Sequence, residues 1–189
     1  MSHLLLYPSR PTRVHKLDLI RRQNPETWRL QLKFNGHHMI VSTHEPDYMH
    51  SRHGVPLTSA IGTDFSTECM KIFGLDCIFD GELCKIKGKL NFIIWDVPVW
   101  RGKDLTQEMY ATRLAILSKY WSDFKETGRI RVRHNVWIAG IYTLSQLDSL
   151  ILHCDKKLIE GVVAKDLRST MAWSRVGQME CTRMLKYRV

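Results

Sequence analysis

Residues 28–36 read WRLQLKFNG, and the first seven of them alternate apolar and polar side chains. This period of two predicts a β-strand with one strongly apolar face. Gln31 and Lys33 fall on the other face, so the lysine points away from the expected core. Asn35-Gly36 is a strong turn signal and predicts a hairpin whose return strand begins at Met39.

The remaining patterns predict a mixed fold. Strands are expected at residues 77–86 and 90–97 (joined through Lys87-Gly88), at 130–137, at 162–164 and at 184–189, with a loop over 45–59. Helices are expected after Thr106 as N-cap, with Tyr110, Leu114, Leu117 and Trp121 on one stripe, and around Leu144, Leu147 and Ile151. The β-α-β rhythm of a parallel sheet is absent, which predicts an α+β fold with mainly antiparallel sheets. The length favours a single domain over residues 1–189.

Composition narrows the class of partner and the compartment. Lys and Arg number 28 against 19 Asp and Glu, giving a formal net charge of +9. This excess suits a polyanionic partner, although a basic surface also serves solubility. The five cysteines contain no C-x-x-C pair, so we expect free thiols in a reducing, intracellular compartment. No apolar run is long enough for a secretory signal or a membrane span, so no membrane partner is expected.

Short polar segments beside apolar runs carry the candidate chemistry. They are Ser51-Arg52-His53-Gly54, Phe79-Asp80-Gly81-Glu82-Leu83, Phe92-Ile93-Ile94-Trp95-Asp96, Glu160-Gly161-Val162-Val163 and Leu185-Lys186-Tyr187-Arg188. A lysine amine attacks phosphorus only when it is neutral, and nearby cations favour loss of its proton. Lys186 and Arg188 alternate along a predicted strand, so both can face one site, helping to keep Lys33 neutral and holding a phosphate. Taken singly, each of these cations equally fits a solvated surface.

Two carboxylates and one aromatic residue complete the set. Glu82 and Glu160 each adjoin a glycine and an apolar run, and such oxygens suit magnesium bound against phosphates. Trp95 offers a plate for a purine, or belongs to the core. The sequence contains no glycine-rich P-loop and no H-E-x-x-H zinc pattern, so a nucleotide here would be held by side chains and covalent chemistry.

In this order, the segments resemble the motifs of the nucleotidyltransferase domain of ATP-dependent polynucleotide ligases, in the superfamily that also holds the messenger-RNA capping enzymes. The family motifs are K-x-D-G, S-R-x-G, D-G-E, an aromatic-Asp segment, E-G-x-v and K-x-K. Their counterparts here run from Lys33 to Arg188 and cover nearly the whole chain. The stretch from Phe92 through Gly102-Lys103-Asp104-Leu105 to Arg113 is most similar to DNA ligases.

The resemblance implies a role for each residue. Lys33 would carry AMP covalently, Arg52 and Glu82 would contact the ribose, and Trp95 would stack on adenine. Glu160, with Glu82, would hold Mg²⁺ or Mn²⁺. Lys186 and Arg188 would grip the α-phosphate, and the nucleotide-binding set also includes Gln31 and Phe34.

The chain departs from the family pattern at four positions. Asn35 replaces an aspartate, His38 stands where many DNA ligases carry arginine, Gln31 replaces a common glutamate, and Arg188 replaces the last lysine. The family also has an OB-fold domain after its last motif, whereas this sequence ends one residue after Arg188. We therefore expect no OB domain here, and a separate protein in its role.

The sequence thus predicts an ATP-dependent DNA ligase of the kind used in replication and repair. It would form a lysine-AMP intermediate, transfer AMP to a 5′-phosphate of nicked DNA or RNA, and seal the break. The alternatives are an RNA ligase, a capping guanylyltransferase that uses GTP, or a non-catalytic relative that binds nucleic acid or nucleotide. The alternating Arg129, Arg131 and Arg133 are predicted to contact nucleic acid.

Overall fold

The computed structural model describes residues 7–44, 48–57, 64–120, 129–133 (main chain only), 135–155, 157–170, 173–174 and 179–189. Within these ranges, the strands are β1 (Arg10–Arg13), β2 (Trp28–Phe34), β3 (His37–Ser42), β4 (Met49–Ser51), β5 (Ile78–Ile86), β6 (Lys89–Trp100), β7 (Lys103–Asp104), β8 (Arg129–Arg133), β9 (Val136–Ala139), β10 (Ile159–Asp166) and β11 (Glu180–Arg188). The helices are α1 (Asp18–Arg21), α2 (Phe65–Phe73), α3 (Tyr110–Ser118) and α4 (Leu147–Leu152), the last preceded by a 3₁₀ turn at Leu144–Gln146.

These strands form two sheets. The smaller has the order β1-β11-β10-β2, and the larger has the order β4-β3-β5-β6-β9-β8, with β7 beside β6. Pairing is antiparallel except for β1 with β11 and β6 with β9. The predicted α+β class with mainly antiparallel sheets is therefore confirmed. None of the helices in the described ranges combines the length and the apolarity needed to cross a bilayer.

The four-stranded sheet has one apolar and one polar face, as the alternation in β2 predicts. Leu30, Leu32 and Phe34 are buried in a core cluster with Val162 and Ala164 of the neighbouring β10. Because side chains alternate along a strand, Gln31 and Lys33 project from the opposite face. Burial of the apolar side chains therefore fixes the direction in which the lysine points.

Asn35-Gly36 does not form a hairpin, and this prediction was wrong. β2 pairs with β10, whereas β3 pairs with β4 and β5, so the chain crosses between the sheets at this point. A Cβ atom on Gly36 would collide with the main-chain oxygen of Leu83. Residue 36 is glycine because the main chain approaches β5 closely here. The resulting Asn-Gly sequence is the same as the one that marks a tight hairpin turn.

The second predicted hairpin is confirmed. β5 and β6 are antiparallel, and Lys87 and Gly88 between them have φ angles of 48° and 80°. A two-residue turn with both residues in the left-handed region matches the right-handed twist of its strands.

Three further boundaries differ from the prediction. Helix α3 has Met109 as its N-cap, while the Thr106 N–H donates to the Asp104 carboxylate in the loop before it. The segment expected as one strand over 130–137 is instead the antiparallel pair β8 and β9. The predicted loop over 45–59 contains the short strand β4. Trp121 and the side chains of β8 lie outside the described residues.

Candidate active site

A cavity of about 570 Å³ is lined by residues of both sheets. Its volume falls within the range of small-molecule sites in proteins. The sequence prediction named nine residues for nucleotide or metal, and all nine line this cavity: Gln31, Lys33, Phe34, Arg52, Glu82, Trp95, Glu160, Lys186 and Arg188. The Phe34 ring also belongs to the apolar core, so among the nine it is the least available to a ligand. Arg129, Arg131 and Arg133 remain a prediction because their side chains are not described.

Lys33 and Glu160 meet on neighbouring strands. Lys33 of β2 lies opposite Gly161 of β10, and the Lys33 ammonium forms an ion pair with the Glu160 carboxylate. The same carboxylate oxygen accepts a second ion pair from Arg188 Nη2 of β11, at 3.2 Å. Three strands therefore bring the predicted nucleophile, one carboxylate and one guanidinium to a single point.

Gly161 explains why Glu160 reaches the cavity. The register of β10 against β2 shifts between Ile159 and Gly161, and Gly161 has a φ of 153°. A Cβ atom at this position would collide with the main-chain oxygen of Tyr187 on β11. This irregularity allows the Glu160 side chain to reach Lys33, although Gly161 is the register partner of Lys33. Glycine is the residue that adopts this backbone conformation at position 161 without strain.

Several cationic side chains of the cavity lie close enough to Lys186 to affect it. Burial, and then the positive charges of Arg10, Lys33, Arg188 and Arg52, lower the pKa of Lys186. In the described part of the chain, no carboxylate pairs with Lys186, Arg10 or Arg52 within salt-bridge distance. Such a concentration of unpaired positive charge favours a polyanionic ligand such as a phosphate chain.

Glu82 is the second carboxylate of the site. It is 7% exposed, and burial raises its pKa to about 7 despite the nearby charges of His38 and Lys33. Its carboxylate forms no hydrogen bond with any described residue. A metal cation beside this carboxylate, or a ribose hydroxyl that donates a hydrogen bond to it, would favour its ionised form. The Glu82 side chain is therefore suited to contact either group.

A hydrogen-bonded network fixes the position of Trp95. Its indole Nε1 donates to Asp80 Oδ2 at 2.8 Å, and the other Asp80 oxygen is paired with His38. Tyr110 OH donates to the Trp95 main-chain oxygen at 3.2 Å. The His38 and Trp95 rings meet edge to face at 5.1 Å between centroids. His38 therefore helps to hold the Trp95 ring in place through Asp80.

Behind Trp95, a buried ion pair joins the sheet to helix α3. Arg113 is fully buried and contacts Asp96 through Nε at 2.7 Å and Nη2 at 3.1 Å. Its remaining Nη1 donates to the main-chain oxygens of Glu108 and Leu105. These four hydrogen bonds to carboxylate and main-chain oxygens make Arg113 a structural anchor for the strand that carries Trp95.

The cavity lining also contains buried polar groups that have no hydrogen-bond partner among the described residues. Val163 of β10 lies beside Gln31 of β2, and both line the cavity. The Gln31 amide is buried, and neither its nitrogen nor its oxygen has a hydrogen-bond partner among the described residues. The indole Nε1 of Trp173 is orphaned in the same way. Buried polar atoms are rarely left unsatisfied, so these atoms indicate a ligand with donors and acceptors on its edge.

Lys165 is a site residue that the sequence analysis missed. It follows Val163 on the same face of β10, is 6% exposed, and places Nζ 4.8 Å from the Tyr110 ring centroid and 5.9 Å from that of Trp95. Burial lowers its pKa to about 8. Alternation from Val163, which lines the cavity, also places residue 165 there, whereas alternation counted from Glu160 places residue 165 on the opposite face. The register shift between Ile159 and Gly161 accounts for this difference.

The chain was compared with protein-family models, with curated proteins and with solved structures. No family model and no curated protein matches this sequence. Among solved structures, mycobacterial DNA ligase D complexed with ATP and MES is similar to the whole of this chain, with a TM-score of 0.64 and 16% identity. A Lig E DNA ligase matches 97% of the chain with a TM-score of 0.58 and 12% identity. An archaeal ATP-dependent RNA ligase matches 96% of it with a TM-score of 0.54 and 16% identity.

The match covers 62% of the mycobacterial chain, 68% of the Lig E chain and 48% of the archaeal chain. The chain therefore spans less than two thirds of the length of the mycobacterial and archaeal proteins. Sequence identity at this level carries the fold alone. The chain has the fold of the nucleotidyltransferase domains found in ATP-dependent DNA and RNA ligases.

Proposed function

We propose that this protein is an ATP-dependent polynucleotide ligase that joins nicked DNA through a lysine-AMP intermediate at Lys33. The observation that carries this proposal is the meeting of Lys33, Glu160 and Arg188 from three adjacent strands in a cation-rich cavity. A solvated surface lysine would not need a half-buried carboxylate partner in the same cavity as an unsatisfied buried amide and an aromatic ring held in place by hydrogen bonds.

In the first step, the neutral amine of Lys33 attacks the α-phosphorus of ATP. An N–P bond forms, the P–O bond to the β-phosphate breaks, and pyrophosphate leaves with the electron pair of that bond. The proton of the amine passes to solvent or to a carboxylate of the site. Lys186 and Arg188 stabilise the negative charge on the phosphoryl oxygens, which is the main contribution that a protein makes to phosphoryl transfer.

The base would lie between Trp95 and Val163. At the edge of this slot, the Gln31 amide offers one donor and one acceptor, and Lys165 Nζ offers a further donor. An adenine presents both an amino group and ring-nitrogen acceptors, so it can satisfy these groups together. Binding of a purine would therefore remove the cost of the unpaired Gln31 amide.

Magnesium fits this site as a companion of the nucleotide. The described residues contain no cluster of three or more metal-ligating side chains. Mg²⁺ is commonly held by one or two carboxylates together with substrate phosphates, and Glu160 and Glu82 are the carboxylates that would hold it here. Asp80 and Asp96 also line the cavity, but they are paired with His38 and Arg113. When bound, such an ion would neutralise phosphate charge.

In the second and third steps, AMP would pass from Lys33 to a 5′-phosphate, and the neighbouring 3′-hydroxyl would displace AMP. The net charge of +9 suits a nucleic-acid substrate. The similarity to both DNA and RNA ligases makes an RNA ligase the second candidate. Nicked duplexes of DNA and of RNA, tested side by side, distinguish the two.

The test of the first step is direct. Wild-type protein incubated with ATP and Mg²⁺ should gain one AMP, measured as intact mass under denaturing conditions, and GTP should give no adduct. Lys33→Ala should gain none. Lys85→Ala is the matched control, since Lys85 is an exposed strand lysine that does not line the cavity. An adduct retained in Lys33→Ala would refute the assignment, and an adduct with GTP alone would indicate a guanylyltransferase.

A further inference from the structure

Arg10 is the charged residue of β1 that lines the cavity. It lies outside all of the motifs that the sequence analysis used. It is exposed, it lines the cavity, and in the described part of the chain its guanidinium has no carboxylate partner. Of the surrounding cations, Arg10 has the largest effect on the pKa of Lys186, which it lowers. The guanidinium therefore lies close to the predicted phosphate-binding lysine.

The order of the strands gives Arg10 a particular side of the cavity. β11 and β10 separate β1 from β2 in the four-stranded sheet. Lys33 projects from β2, so Arg10 approaches the same space from the opposite edge. The α-phosphate, held by Lys186 and Arg188 of β11, would lie between the two.

Phosphoryl transfer proceeds with the attacking and leaving groups roughly in line. A nucleophile on β2 therefore expels its leaving group toward β1. We propose that Arg10 binds the β- and γ-phosphates of ATP and stabilises the pyrophosphate that leaves as the Lys33–phosphorus bond forms. The inference rests on the proposed adenylylation of Lys33 and adds a residue that acts on its leaving group.

The chemistry of arginine suits this role. A guanidinium presents a planar fork of N–H donors that binds two phosphate oxygens at once, and it stays charged throughout the reaction. Charge accumulates on the bridging oxygen as the P–O bond breaks, so a cation on that side lowers the barrier more than it tightens ground-state binding. Neither the later transfer of AMP to a 5′-phosphate nor the sealing step involves pyrophosphate.

The experiment compares wild-type protein with Arg10→Met, which keeps an unbranched side chain, shorter than that of arginine, and removes the charge. Arg13→Met is the matched control, because Arg13 is an exposed arginine on the same strand that does not line the cavity. The measurements are the rate of adduct formation with ATP and Mg²⁺, and the concentration of inorganic pyrophosphate that half-maximally reverses a purified adduct. Calorimetric titration with pyrophosphate gives a readout that does not depend on activity.

Arg10→Met should slow adduct formation and weaken pyrophosphate binding, each by about 10- to 100-fold, the effect of one lost charge-assisted contact. Arg10→Lys should recover part of this loss, since it restores the charge without the fork. Sealing of a nick whose 5′-end is already adenylylated should match wild type in both variants. Circular dichroism and the thermal midpoint would report any loss of folding.

Equal behaviour of Arg10→Met and Arg13→Met in adduct formation and in pyrophosphate binding would overturn the inference. So would a loss confined to nick sealing, which would instead place Arg10 on the nucleic acid. Failure of the proposed function looks different, because wild-type protein would then form no Lys33 adduct at all.

Discussion

The Lys33 ammonium is paired with the carboxylate of Glu160, which is next to Lys33's own register partner on the adjacent strand. The two residues are 127 positions apart in sequence, and the pairing of β2 with β10 brings them together. In the proposed reaction, Lys33 would have to leave this ion pair, and lose a proton, before it could attack phosphorus. In that reaction, a metal ion bound with the nucleotide would take over the Glu160 carboxylate, and this would tie release of the amine to substrate binding.

Removing the Glu160 carboxylate should therefore abolish most of the reaction without unfolding the protein. We expect Glu160→Gln to lower the rate of Lys33 adenylylation by about 100-fold or more, as removal of one electrostatic contact in an active site does. Both partners are largely shielded but not fully buried, so the thermal midpoint should change little. Intact-mass kinetics and circular dichroism measure the two effects. An adduct formed at the wild-type rate would mean that Glu160 has only a structural role.

Gly161 should tolerate no side chain. Gly161→Ala would place a methyl group against the Tyr187 carbonyl in a backbone conformation that favours glycine, at an expected cost of roughly 3 kcal/mol. Gly88→Ala is the control, because Gly88 also has a positive φ of 80° but has open space around it. That variant should lose only roughly 1–2 kcal/mol. Urea unfolding of both proteins measures the difference, and equal losses would show that the strand irregularity can relax.

Lys165 should show a conflict between stability and ligand binding. Its pKa is lowered by burial from 10.5 to about 8, so below pH 8 the folded protein buries an ammonium that the unfolded chain exposes to water. Between about pH 8 and 10.5, the unfolded chain retains this proton and the folded protein does not. Stability should consequently rise with pH across that window through this group.

Lys165→Met should remove that pH dependence. It should also stabilise the ligand-free protein at pH 7 by roughly 1–3 kcal/mol. Loss of the cation–π contacts with the Tyr110 and Trp95 rings would reduce this gain. The same variant should need about tenfold more ATP for half-maximal adduct formation, because the base loses a donor. Thermal unfolding of both proteins from pH 7 to pH 10 tests the first expectation. A Lys165→Met protein that is less stable than wild type at pH 7 would show that the ring contacts outweigh desolvation.

The elements that the sequence predicts well are those with local causes. The alternation in Trp28–Phe34 identifies both the strand and the direction of Lys33, because burial of one face is encoded within seven residues. Asn35-Gly36 misleads because glycine serves a close approach to β5 as well as a tight turn. Arg10 is invisible to local reasoning, since only the parallel pairing of β1 with β11, some 170 residues away, brings it to the cavity. Motif order names candidate site residues, whereas the fold is needed to show that they line one cavity and which of them are in contact.

Binding to nucleic acid should depend steeply on salt. The chain carries a net charge of +9, and each phosphate contact contributes about −0.9 to the slope of log affinity against log salt for duplex DNA. A slope of roughly −3 to −5 is expected for a single face of one domain. Sealing of a nick should accordingly fall between about 50 and 200 mM salt, while self-adenylylation, which involves one small ligand, should fall less.

The arginines of β8 provide the variant for this test. Arg129→Ser, Arg131→Ser and Arg133→Ser combined should reduce the slope by about 2–3. The matched control combines Lys85→Ser, Lys87→Ser and Lys89→Ser, which remove the same charge from exposed positions around the β5–β6 turn. Fluorescence anisotropy with a labelled nicked duplex gives both slopes. Because the two triple variants share one net charge, a loss limited to the arginine variant identifies direct contacts, and equal losses would mean that the attraction is a property of the whole basic surface.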